Sequence, residues 1–372
     1  MPSGPDRRGI GAGSTATNLS EIPHRKAQIM LRTLLGTAAA LMLATTAQAD
    51  SFSLRILGQP VGSGLIQQQK EQPFFEALAE TTGLDVTVEY LPVDVAGIPD
   101  TDGLRVLRSG LFDIVSIRGP QVSRDEPTVL GLDLVGLNSS FAAGREHTDA
   151  FLATVDARLQ ERFNAKLLGV WPAGPQVLFC KPAISGLSDL RGLKVRVGDQ
   201  SAANFVAGLG ATGVPMPFGE TQPALSRGVV DCAITGPSSA NSGGWPEATT
   251  SVLPIALQLA INGYAMNLDK WNALTPEQQA TLKSAVEGHV DAIWAFSEEL
   301  YDDAMRCNTG QQPCERGTSY NLTEVPVTEA DLNLVKNALT ETSLPVWVEQ
   351  CNAVNPSCEA DWRASSGSKL GL

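Results

Sequence analysis

Polar and apolar residues alternate along Leu193-Lys194-Val195-Arg196-Val197. Period two predicts a strand with Leu193, Val195 and Val197 on one face and Lys194 and Arg196 on the other. Around this run the pattern keeps switching between strand and helix periods. Strands are expected over Gln176 to Cys180, Val214 to Met216 and Val229 to Ile234, with helices over Ala202 to Leu209 and Glu220 to Arg227. Upstream, Phe52 to Leu57, Val86 to Leu91 and Phe112 to Ile117 read as strands, and Leu65 to Thr82 and Leu104 to Ser109 as helices. Such alternation predicts an α/β fold.

Two segments share one layout: Leu107-Arg108-Ser109-Gly110-Leu111-Phe112-Asp113-Ile114 and Leu225-Ser226-Arg227-Gly228-Val229-Val230-Asp231-Cys232. Each runs from helix end through a glycine that permits a left-handed turn, then two apolar residues, an aspartate and a strand. The aspartates read as turn and packing residues. Two such units imply two α/β lobes on one plan, and 372 residues suit two cores better than one. The chain is expected to recross near Val252 to Asn262. Thr275-Pro276-Glu277-Gln278 then opens a long helix, with Thr as N-cap, Pro at the first helical position and Gln closing a capping box. Leu282, Val286, Val290, Ile293 and Leu300 keep helical spacing as far as Met305. About 30 residues would span about 45 Å, enough to run along both lobes. The expected division is residues 50–172 with 262–302 as lobe I and spanning helix, 173–261 with 303–350 as lobe II, and 351–372 as a C-terminal tail.

The N-terminus adds an address. Met30-Leu31-Arg32 starts a short basic segment, Leu34 to Ala44 is apolar, and Ala47-Gln48-Ala49 fits a signal-peptidase site. The apolar run is too short to span a bilayer. We therefore expect 1–49 to be an extended leader and signal peptide, and the mature chain to be soluble and periplasmic, with no membrane insertion. The chain has 27 Lys+Arg against 40 Asp+Glu, and the first 49 residues hold five of the former and two of the latter, which leaves −16. That charge repels nucleic acid and anionic lipid, so neither is an expected partner. Six cysteines, all after the leader, suggest three disulfides among fifteen pairings. Cys307 with Cys314 and Cys351 with Cys358 would close short loops, leaving Cys180 with Cys232. Zinc fits poorly, because no C-x-x-C occurs and only His147 and His289 follow the leader.

Several motifs fail their context. Gly208-Leu209-Gly210-Ala211-Thr212-Gly213 matches the dinucleotide fingerprint in letters, but a helix precedes it and a strand follows, the reverse of what that site needs. Asp100-Thr101-Asp102-Gly103 lacks the remaining ligands of a calcium loop. No G-x-S-x-G elbow appears. No catalytic residues, cofactor or metal are assigned, and an enzyme is not expected.

Taken together, Leu190-Arg191-Gly192-Leu193-Lys194-Val195-Arg196-Val197, Leu209-Gly210-Ala211 with Val214-Pro215-Met216, the run from Glu220 to Asp231, and Trp271-Asn272-Ala273-Leu274-Thr275-Pro276-Glu277-Gln278-Gln279 resemble the DctP-like solute-binding proteins of tripartite ATP-independent periplasmic (TRAP) transporters. The resemblance covers nearly all of the mature chain. It implies a two-lobed periplasmic binding protein fold with crossing segments and a long helix spanning both lobes. It also implies capture of a small organic acid between the lobes and delivery to the membrane components of a TRAP transporter. Service to an ATP-driven importer or a sensor kinase, or an exported enzyme on the same scaffold, are the alternatives.

By that resemblance Arg196 is the carboxylate anchor, and a forked guanidinium on a rigid strand suits two oxygens. A second arginine common in relatives is replaced here by Ala173-Gly174-Pro175-Gln176, where Gln176 can donate hydrogen bonds but carries no charge. Arg118, from Ser116-Ile117-Arg118 at the carboxyl end of a strand, could stand in from the other lobe, and Ser116 shares that crevice position. After Asp231, Cys232-Ala233-Ile234-Thr235-Gly236 replaces the Gly and acidic residue of many relatives, with Thr235 as a candidate contact, and Ser239-Ala240-Asn241 and Trp245 then fall where relatives place polar and aromatic ligand contacts. Trp171 and Trp245 would either sandwich an apolar ligand body or pack in the core. Glu220 is either a ligand contact or a charge favourable to its helix dipole, and a metal bridging it to the ligand stays open.

Overall fold

The computed structural model describes residues 51–61 and 64–371; the expected leader lies outside them. Two mixed sheets organise the chain. The first has the order β2-β1-β3-β10-β4, built from β1 (Phe52–Gly58), β2 (Val86–Pro92), β3 (Ile114–Arg118), β4 (Ala165–Pro172) and β10 (Ile261–Asn267). In it β1 runs parallel to β2 and β3, while β10 is antiparallel to β3 and β4. The second has the order β11-β9-β5-β8-β6-β7, from β5 (Val177–Cys180), β6 (Lys194–Val197), β7 (Thr212–Pro215), β8 (Cys232–Thr235), β9 (Ser251–Leu253) and β11 (Thr323–Glu324). Here β6 is parallel to both β7 and β8.

The alternation around Arg196 forms β6, with Val195 and Val197 fully buried in the second core and Lys194 exposed. The repeated layout is present in both sheets, and Gly110 and Gly228 adopt the same left-handed φ of 70°. A β-carbon is strained at that φ, which is why both units turn on glycine.

β4 passes into β5, and β9 into β10, through two crossing segments that run side by side. Ala173 and Gly174 donate to the carbonyls of Ala260 and Leu259, Gln176 to that of Gln258, and Leu257 back to that of Gln176. The buried Asp133 carboxylate fastens this ribbon by accepting from the backbone N–H groups of Leu259 and Ile261 at 3.1–3.2 Å. Ala260 between them holds a left-handed φ of 53°.

The long helix is Pro276–Thr309, 34 residues, and both halves of its predicted capping box form. At about 1.5 Å per residue it is about 51 Å long. Its apolar stripe from Leu282 to Leu300 packs in the first core, while Met305 belongs to a cluster with β5 and β8 residues.

Near the chain end, residues 339–354 and 358–367 are helical and pack with the first core. Trp347 donates to Pro127 O at 2.9 Å and Trp362 to Gly131 O at 2.9 Å, so two indoles anchor this segment. A 23-residue helix, Phe141–Phe163, for which the sequence predicted no element, carries the buried His147. The disulfides are Cys180–Cys232, Cys307–Cys314 and Cys351–Cys358. Among the described residues no helix is long and apolar enough to cross a membrane.

Candidate functional site

Parallel strands of both sheets end at one place. Gln59 follows β1, Arg118 ends β3, Gly198 follows β6, Pro215 ends β7 and Thr235 ends β8, and all five line a cavity of about 720 Å³. Ligands collect at the carboxyl ends of strands in such sheets because the loops there diverge and leave a crevice. Trp171 of β4 and Gln176 on the crossing segment after it, Gln258 and Ala260 on the other crossing segment, Asn262 of β10, and Ser297, Leu300 and Tyr301 of the long helix complete the wall.

Arg196 is 6% exposed. Its Nε and Nη2 donate to Met216 O at 3.0 and 2.7 Å, and its Nη1 donates to Ile234 O at 3.2 Å. These bonds fix the guanidinium plane on the ends of β7 and β8. A guanidinium has five N–H donors, so two are left, and no ion pair neutralises the charge among the described residues. Burial pulls its pKa down to about 10, with Asp199 acting against that fall. Trp245 lies beneath the guanidinium, 5.4 Å from ring centroid to Cζ, and stacks on Phe218 at 5.2 Å.

Of the nine residues read from the sequence, Arg196, Gln176, Trp171, Arg118 and Thr235 meet on the cavity wall. Gln176 turns its amide onto Gly174 O at 2.8 Å. Arg118 is held by Asp100 at 2.7 Å, so its charge is already matched. Among the described residues Thr235 has no side-chain hydrogen-bond partner. Trp171 is 1% exposed, and its indole N–H has no hydrogen-bond partner.

The other four lie elsewhere. Asn241 is buried and fully engaged: its amide donates to Asn308 Oδ1 and Thr318 O, each at 2.8 Å, and its oxygen accepts from Thr318 N. Trp245 is completely buried and acts as a floor for Arg196, not as a wall. Glu220 is exposed in the first turn of the helix Phe218–Arg227, where its charge suits the helix dipole. Among the described residues no group of His, Cys, Asp or Glu is arranged to hold a metal ion. Ser116 sits behind the wall, donating to Glu71 Oε2 at 2.7 Å and accepting from Gln59 Nε2 at 2.9 Å.

Gln59 and Asp199 were missed. The Gln59 amide is set by Ser116 and its backbone N–H by Glu71 Oε1 at 2.6 Å, so a buried carboxylate aims a neutral cavity residue. Burial pushes the Glu71 pKa up, against hydrogen bonds from Gln59, Ser116, Tyr90 and Tyr264. The strand-end rule could have found Gln59, since it follows β1 directly. Asp199 lies two residues beyond β6 and caps the helix Gln200–Gly208 by accepting from Ala202 N at 3.0 Å. That capping role hid its place on the cavity wall.

The family model for bacterial extracellular solute-binding protein, family 7 (DctP), matches residues 57–306. A protein described as a solute-binding protein, from Chromohalobacter salexigens, is 24% identical over 303 residues, covering 74% of this chain and 84% of that one. Among solved structures, a TRAP periplasmic solute binding protein from Rhodobacter sphaeroides, apo and open, superposes with a TM-score of 0.74 at 18% identity, covering 84% of this chain and 98% of that one. Another from Desulfovibrio salexigens, with bound orotic acid, gives 0.71 at 16% identity over 85% and 99% of the two chains.

Proposed function

This chain belongs to bacterial extracellular solute-binding protein family 7, and from that premise we propose that its cleft captures a small organic acid in the periplasm for delivery to the membrane components of a TRAP-type transporter. The observation that carries the reading is the state of Arg196: buried, on the cavity wall, with no ion pair among the described residues and two N–H donors left over. A buried cation without an anion is costly, and a ligand carboxylate can take both remaining donors. The orotic acid bound by the Desulfovibrio salexigens structure is a ligand of this chemistry. Capture proceeds by lobe closure, because ligand contacts made to both walls exist only in the closed form and shift the population toward it. The protein binds its cargo without altering it.

The test is a thermal-shift and calorimetric panel of organic acids, with Arg196→Ala and Arg196→Lys beside the wild type. Charge-assisted hydrogen bonds contribute about 1.5–3 kcal/mol, so Arg196→Ala should weaken any acid found by about 10- to 150-fold. Arg196→Lys keeps the charge but not the fork, and should fall between the two. Equal affinity in all three proteins would sink the clamp. Mass spectrometry of the released ligand should return it unchanged.

A further inference from the structure

Arg118, Arg196 and Asp199 are the charged residues on the cavity wall among those described. Arg118 is matched by Asp100. That leaves one cation and one anion, three positions apart at the end of β6, and they are not ion-paired with each other. Asp199 caps its helix by accepting from Ala202 N, but a carboxylate has about four acceptor sites, and among the described residues no ion pair engages it. Each charged group therefore keeps unused capacity toward the same space. Were Asp199 simply a counterion for Arg196, the two would be in contact.

We propose that the ligand is a zwitterion, its carboxylate held by Arg196 and its ammonium by Asp199. The inference rests on carboxylate capture at Arg196 and adds the second group. A zwitterion brings both signs, so ligand and wall charges all find opposite partners and the site stays neutral. A dicarboxylate would set its second anion against Asp199, in a chain already carrying a net charge of −13. Beyond the charged pair, Trp171, Phe218, Leu300 and Tyr301 offer apolar surface for the ligand's side chain, so the fitting class is an α-amino acid with an apolar or aromatic side chain.

Matched probes test this on the whole protein: L-leucine and L-phenylalanine, the 2-hydroxy acids with the same side chains, and the corresponding amino amides. We expect the amino acids to raise Tm and the hydroxy acids to bind at least about tenfold more weakly. Hydroxy acids binding as well as amino acids would overturn the zwitterion while leaving carboxylate capture intact. Amino amides binding as well as amino acids would instead remove Arg196's carboxylate. Binding of none of the three sets also overturns the proposal, and the wider acid panel then decides the parent reading alone. Asp199→Asn and Asp199→Ser both keep an N-cap oxygen, so the helix should survive. Each should weaken amino-acid binding by about 10- to 150-fold with the ligand-free Tm nearly unchanged. Undiminished affinity in these variants overturns the role given to Asp199.

Discussion

Replacing Asp133 by Asn should remove a pH dependence built into the ribbon of crossing segments. The Asp133 carboxyl is buried, and burial pushes its pKa up from 3.8 to about 6, against hydrogen bonds from Leu259, Asn138 and Ile261. Its native pKa lies above its unfolded one, so the fold favours the protonated form. The associated stability is complete below the unfolded pKa and is lost as pH rises through the native pKa. At 1.36 kcal/mol per pH unit the full loss is about 3 kcal/mol, of which about 2 kcal/mol falls between about pH 4 and pH 7. Glu71 shifts in the same direction, so the wild-type slope contains both groups and only the difference between proteins isolates Asp133. Urea unfolding of wild type and Asp133→Asn at several pH values across that window supplies the difference. The gap between the two curves should change by about 2 kcal/mol from one end to the other. Parallel curves would refute the reasoning, since they would mean that Asp133 titrates alike in the folded and unfolded chains.

Two further outcomes follow from the same geometry. Reducing Cys180–Cys232, or replacing both residues with Ala, releases residues 52 apart in sequence, and loop-closure entropy sets the loss at about 4 kcal/mol; calorimetry with and without reductant reads it as a lower Tm, and an unchanged Tm would mean the unfolded chain is not loosened. Gln59→Leu keeps approximate size but discards the amide aimed by Ser116, so ligand affinity should fall by about tenfold, with less compaction on ligand addition in small-angle scattering; compaction equal to wild type would take Gln59 out of the closure contacts.

Some features were legible because they depend on neighbours in sequence. The β6 alternation, the glycine-turn repeat and the capping box at Thr275 are each specified within about ten residues, and each appears. The helix Phe141–Phe163 was not legible, since Gly144 and charged residues interrupt its apolar spacing; its stability comes from Phe151, Val155 and Leu159 packing in the first core. Asn241 illustrates the limit for site residues. A short polar residue near a strand end looks available, yet Asn308 and Thr318, 67 and 77 positions away, use all its hydrogen-bonding capacity. Gln59 shows the converse. Its place just after β1 was readable, but the aim of its amide was not, because Glu71 and Ser116 are placed behind it only by folding.

The two walls of the cleft carry different kinds of group, and the difference bears on how binding becomes closure. Arg196, Asp199 and Thr235 belong to the second sheet and its following turns; Gln59, Arg118 and Trp171 belong to the first. A contact made to one wall alone is equally available whatever the separation of the walls, and so adds affinity without moving the equilibrium. Under the proposed function, the charged pair would therefore select which solutes are held, while the first sheet's amide and indole would set how strongly holding favours the closed form. Glu71 gains a reason to be buried on this account. It is not on the cavity wall, but its carboxylate accepts from Gln59, Ser116, Tyr90 and Tyr264 and so steadies the Gln59 turn on the opposing wall. The ribbon that Asp133 fastens links the two sheets, so under the proposed closure it is the segment about which the walls would turn.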